Sequence, residues 1–246
     1  QGNTSTIYTD GTNCFKILDK FYDEEKELLY KKLIDMEGIN IPNVLLPKEL
    51  IIRHNKLQGY SMDYFKDSIP LSDKFMTRYV DCKELFDYII KASIILKTIH
   101  KNSIICQDLS FENILVDKIG NIAFCDLDGC SFEEHISPFI SNITKKFLFD
   151  YRKEDNVCLS PNIDKISMMI SLYFLIYLKE LQKLTKKQYN KLSKEIVTLE
   201  TLKKYANILV DKNNSISEIP YLDEVINPND DYIIDREKQI NIIRKV

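Results

Sequence analysis

Apolar positions change their period along this chain, and each change marks an element. Asn13-Cys14-Phe15-Lys16-Ile17-Leu18 alternates as a strand does, directly after Asp10-Gly11, a dipeptide suited to a hairpin turn. Between Phe21 and Met36 the spacing switches to three and four, with Leu28, Leu29, Leu33 and Met36 recurring, which predicts a helix with those residues inward. Asp81 is placed to cap a second helix running to about Lys101, whose Leu85, Phe86, Ile89, Ala92, Leu96 and Ile99 form one stripe. Ile114 to Val116 and Ile122 to Cys125 are short apolar runs either side of Asp117-Lys118-Ile119-Gly120-Asn121, a segment of turn composition, and predict a hairpin. Ile166 to Leu178 is the most apolar stretch; thirteen residues are too few to span a bilayer, so it reads as a buried helix.

That hairpin carries the candidate chemistry. Asp108 is followed after five positions by Asn113 and after thirteen more by Asp126. Asn113 and Asp126 lie at the outer ends of the two hairpin strands, so folding brings them side by side. Phosphoryl transfer builds charge on non-bridging oxygens, and the protein has mainly to place magnesium and orient the attacking hydroxyl. Magnesium takes oxygen ligands, and an Asp, an Asn and an Asp at this spacing can set one base and two such ligands around a single phosphoryl group. The run Ile104 to Asp117, with Asn121 to Gly129, resembles the protein-kinase-like superfamily, whose catalytic loop carries such an Asp and Asn and whose metal-binding Asp follows a hairpin.

The resemblance extends upstream in order. Gly2-Asn3-Thr4-Ser5-Thr6-Ile7-Tyr8 resembles the second half of a glycine-rich loop, with Gly2 at its second glycine, Ser5 in place of its third and Ile7 at the apolar position over the adenine. Lys16 matches the strand lysine that holds the α- and β-phosphates, and a helix glutamate pairs with that lysine in the family. Glu25 lies on the inward face of the Phe21–Met36 helix and fills this role, with Glu24 or Glu27 brought there if the helix is rotated; the helix dipole alone also favours acids in a first turn. Lys56 to Phe65 resembles the strand entering the hinge, with Met62 as gatekeeper and the backbones of Asp63 and Phe65 at the adenine edge. Asp164 resembles the buried Asp that bonds back to the catalytic loop.

The resemblance implies an α+β, two-lobed kinase-like fold: a small β-rich N-lobe over residues 1–65, its first strand missing, and a larger helical C-lobe over 66–246, together one domain. ATP and Mg2+ are the implied cofactors. There are departures. Gln107 stands where many protein kinases have the Arg that clamps a phosphorylated activation loop, Ser110 where Ser/Thr kinases have a Lys, Asp126-Leu127-Asp128-Gly129 replaces D-F-G, and no A-P-E follows. Three readings stay open: an atypical, bacterial-type Ser/Thr protein kinase acting on a protein substrate, a small-molecule kinase of the aminoglycoside or choline type, and a nucleotide-binding pseudokinase acting as an interaction module.

Composition narrows this little further. The 246 residues are 44% apolar and 29% charged, enough for one large core or two smaller ones, and the net charge of −3 gives no reason to expect nucleic acid or a membrane surface as partner. The locally basic Lys183 to Lys194 segment reads as a solvated amphipathic helix around Leu184, Tyr189 and Leu192. Six cysteines without a C-x-x-C pair are expected to be free thiols in a reducing cytoplasm. No signal peptide is visible. Oligomeric state is not legible.

Overall fold

The computed structural model describes residues 5–19, 21–137, 160–177, 220–226 and 233–237. Gly2 and the Lys183 to Lys194 segment lie outside them. The described fold is mixed α and β, with its strands concentrated in the N-terminal region, and is compatible with a kinase-like architecture.

A four-stranded antiparallel sheet is built from β1 (Thr6–Thr9), β2 (Asn13–Ile17), β3 (Leu50–Arg53) and β4 (Lys56–Asp63) in the order β1-β2-β4-β3. The β1–β2 turn closes because Asp10 accepts the N–H groups of Thr12 (2.8 Å) and Asn13 (2.7 Å), while Gly11 takes a φ of 92° that side chains resist. Register sets Lys16 opposite both Ile7 and Tyr60, and Cys14 opposite Met62. Since side chains alternate, Ile7, Cys14, Lys16, Tyr60 and Met62 share one face. Gly59 allows β2 and β4 to meet closely: a Cβ there would stand 2.2 Å from the carbonyl oxygen of Lys16.

Helix α1 (Asp23–Asp35) packs on that face through Leu29 and Leu33, which join Leu18, Leu57, Tyr60 and Met62 in a small buried cluster. The inward stripe differs from the expected one. Leu28 is 67% exposed, and the buried helix positions are Leu29, Lys32 and Leu33. Adjacent residues on a helix point about 100° apart, and with Leu29, Lys32 and Leu33 facing inward Leu28 is carried to the edge of the stripe and out to solvent. The stripe rotates onto Leu29 and takes a lysine with it.

The second cluster is larger. Helix α2 (Leu71–Lys74) follows β5 (Ile69–Pro70), and β6 (Tyr79–Asp81) leads into α3 (Cys82–Lys101). Asp81 caps α3 as expected, accepting the N–H groups of Lys83 (2.9 Å) and Glu84 (3.2 Å), and the predicted stripe from Leu85 to Ile99 is buried. Then come β7 (Ile104–Ile105), the hairpin of β8 (Ile114–Val116) and β9 (Ile122–Phe124), β10 (Ser131–Phe132) and α4 (Asn162–Tyr177). The hairpin pairs Ile114 with Phe124 and Val116 with Ile122; β5 extends it on the β8 side. A short turn at Leu222–Glu224 is fastened to α3 by Asp223, which accepts from Ser93 (2.8 Å) and Lys97 (2.6 Å), and β11 (Ile233–Asp235) pairs with β6. No described helix is long and apolar enough to cross a membrane.

Candidate active site

The β8–β9 hairpin holds the expected residues together through its backbone. Asn113 precedes β8, and its carbonyl accepts the N–H of Cys125 at 3.0 Å, which puts Asp126 beside it. The Asn113 side-chain amide donates to the carbonyl of Asp108 at 3.0 Å. Asp108 is exposed. The loop that presents it is fastened from below: Asp164, fully buried at the start of α4, accepts the N–H groups of Cys106 (2.7 Å) and Gln107 (2.8 Å) and meets His100 Nε2 at 3.0 Å. Tyr221 closes the other side of the His100 ring at 2.8 Å. Gln107 and Asp126 flank the hairpin with φ of 62° and 63°, left-handed conformations that cost non-glycine residues about 1 kcal/mol or more each. Such angles persist only where surrounding bonds over-determine them, as the two Asp164 bonds do for Gln107.

Lys16 reaches this hairpin from the sheet. It is 6% exposed, and its Nζ donates to one carboxylate oxygen of Asp126 and, at 2.8 Å, to Asp128 Oδ1. Burial works against its charge, but the Asp128 and Asp126 carboxylates outweigh it and raise its pKa. The two acids differ in setting. The Asp126 side chain is 49% exposed and Asp128's is 7%. Burial pushes the Asp128 carboxyl up despite Lys16, whereas Lys16 overcomes burial at Asp126 and holds it below the usual carboxylate range. Tyr60, beside them on β4, has its phenol pushed well up by burial and then by the Asp128 and Asp126 charges. Burial, with the charge of Asp126 behind it, lifts the Cys125 thiol to about 12, so it stands as an inert thiol beside the site.

The pairing of Lys16 with Glu25 is not what the structure contains. Glu25 turns back on its own helix and accepts the N–H of Tyr22 at 2.9 Å, serving the N-terminus, and the acids on Lys16 are Asp126 and Asp128. Glu25 sits seven residues before the point where α1 meets the site, roughly 10 Å along the axis. The residue at that point is Lys32, 7% exposed, donating to the carbonyl oxygens of Asp128 (2.5 Å) and Cys130 (2.7 Å). Its burial depresses its pKa. Sequence reading passed over Lys32 and over Asp128 as a partner of Lys16. The signal was present: of the adjacent pair Lys31-Lys32, the second stands at position i+3 from Leu29 and next to Leu33, on the apolar stripe.

The remaining expected residues lie along the sheet and its exit. Ser5 is buried, and Ile7 is half exposed on the Lys16 face. Met62 is buried, Asp63 is ion-paired with Lys48 at 2.6 Å, and the Phe65 carbonyl accepts from the Ser68 hydroxyl at 2.6 Å. As donors, the Asn113 amide oxygen and the half-open Asp126 carboxylate suit a hard divalent cation, and Lys16 alongside suits phosphate. Among the described residues there is no cluster of three or more His, Cys, Asp or Glu able to hold a metal by itself, so such an ion would depend on further oxygens from a ligand or water.

No protein-family model matches the chain. It is similar to the NUAK family SNF1-like kinase 2 of rat, 27% identical over 170 residues, and to that of human, 25% identical over 170 residues. Each match covers 65% of this chain but only 25% and 26% of the rat and human proteins, so the chain spans about a quarter of the relatives it matches. At this distance the similarity supports a chain of the protein-kinase-like superfamily, and no finer subgroup within it.

Proposed function

We propose that the protein is an ATP-dependent phosphotransferase of the protein kinase type, moving the γ-phosphate of ATP to a Ser or Thr hydroxyl of a protein. The observation that carries the reading is the convergence of Lys16, from the N-terminal sheet, on Asp126 at the end of a hairpin whose other end is Asn113. Similarity to proteins named as kinases points the same way. In this reading residues 1–65 and 66–246 are the two lobes, with adenine under Ile7 near Ser5 and against Met62 and the backbones of Asp63 and Phe65. Lys16 binds the phosphates. Asn113 and Asp126 would hold Mg2+, which supplies charge neutralisation at the transferring phosphoryl group.

The chain's own part is positional. Asp164 fixes the backbone of Cys106 and Gln107, and this aims the exposed Asp108 at an incoming hydroxyl, where its carboxylate orients the nucleophile and accepts its proton. The Asn113 amide, bonded to the Asp108 carbonyl, keeps base and metal ligand at a constant separation. One sequence feature favours a second reading. Ser110, where Ser/Thr kinases carry a lysine near the γ-phosphate, also suits a small-molecule hydroxyl acceptor.

Incubation with labelled ATP and magnesium, alone, with generic protein acceptors, and with a panel of aminoglycosides and amino alcohols, separates these. Label on protein supports the first reading and label on a small molecule the second. Nucleotide binding without transfer to any acceptor would leave a pseudokinase, and no binding of ATP with magnesium at several millimolar would sink all three.

A further inference from the structure

The resemblance implies an acid on α1 for Lys16, yet the residue α1 sends into the site is a base. Lys32 is buried, and its ammonium is bound to two backbone carbonyls, of Asp128 and Cys130, on the stretch that follows Asp126. Asp128, in turn, gives its carboxylate to Lys16. Helix, loop and strand are thus linked in series: Lys32 to the backbone at 128 and 130, the Asp128 side chain to Lys16. The resemblance would have one direct link, from helix acid to strand lysine. An ammonium is taken out of water only where its hydrogen bonds are made, so a buried lysine on two carbonyls ties their segment firmly.

The two acids on Lys16 also differ in a way that sorts them. Asp128 is buried beside Tyr60, and Asp126 keeps half of its side chain open. Only the open one is placed to exchange Lys16 for another cation. We propose that Asp128 is the positioning carboxylate for Lys16 and Lys32 the latch that fixes Asp128, so that α1 governs the phosphate-binding lysine through the backbone of residues 128–130. This rests on the reading of Lys16 as a phosphate ligand. Its consequence is that displacement of α1 withdraws the loop support first and the lysine second.

The test uses the full chain with Lys32→Met and Asp128→Asn, each near in size to the residue replaced, and two independent measurements. Hydrogen–deuterium exchange without nucleotide is the first: Lys32→Met is expected to speed exchange across residues 126–132 at least tenfold while α3 stays protected. Unchanged exchange there overturns the latch, and so does loss of protection throughout the molecule, which would make Lys32 a support of the fold at large. ATP binding and kinetics are the second. Asp128→Asn is expected to weaken ATP binding at least tenfold, with the loss in KM for ATP and not in KM for the acceptor; affinity within twofold of the unmutated chain overturns the role of Asp128. Should the unmutated chain bind no ATP with magnesium, the nucleotide reading and the role of Asp128 toward it fall together, and the exchange result still decides the latch.

Discussion

At the scale of single residues, the structure brings two lysines, Lys16 and Lys32, to the hairpin where sequence reading had expected one lysine and one glutamate. Lys16 was legible because a strand position in an ordered series of motifs pointed to it. Lys32 was not, because a charged residue lowers the apparent periodicity of a stripe, and its partners lie 96 and 98 positions away. Local pattern carries no information about ties of that length. Asp108 is exposed and, in the proposed reading, acts on the acceptor hydroxyl, so Asp108→Asn is expected to cut turnover by a factor of about 100 or more while ATP affinity changes less than threefold, measured by steady-state kinetics and nucleotide titration. Gly59 makes a different kind of demand. A methyl group at 2.2 Å from the Lys16 carbonyl must push β2 away from β4, and Gly59→Ala is expected to cost roughly 2 kcal/mol or more in denaturant unfolding.

Among elements, α3 and the β8–β9 hairpin were the most legible. Their signals, an Asp cap before a long stripe and two apolar runs around a turn, are local and agree with the environment the fold supplies. Asp164 at the start of α4 belongs with them. α1 was found in place but misjudged in rotation, since two adjacent leucines leave the buried face ambiguous until tertiary packing selects one. The β1–β2 hairpin offers a pH test. Backbone N–H groups of Asn13 and Thr12 hold the Asp10 carboxyl below its ordinary value. A carboxyl depressed in the folded state adds stability above its unfolded pKa, about 3.9, and that contribution is lost as pH falls through the folded value. Asp10→Asn keeps an acceptor oxygen without the charge, so its stability is expected to fall less steeply than the parent's below about pH 4, read from thermal unfolding across an acid series.

For the whole molecule, the polar ties between the N-terminal sheet with α1 and the remainder fall, among the described residues, on one stretch. Phe124 exchanges backbone bonds with Asn43 and Leu45, Asp126 and Asp128 hold Lys16, the carbonyls of Asp128 and Cys130 hold Lys32, and His135 meets Asp35 at 2.6 Å. The two buried clusters share no side chain, and Met36, Ile41, Val44 and Leu46 carry the chain from the end of α1 into the larger one. That stretch is expected to act as a mechanical fuse for the polar part of the coupling. With it intact, heat should melt both cores in one cooperative step; with Lys32→Met and Asp128→Asn combined, calorimetry is expected to resolve two transitions, the smaller core going first. Lys16, which would meet phosphate in the proposed reading, is also one of the residues that couple the cores. A ligand bound there would register as restored cooperativity, drawing two melting steps back into one, before it registered as a large rise in either temperature.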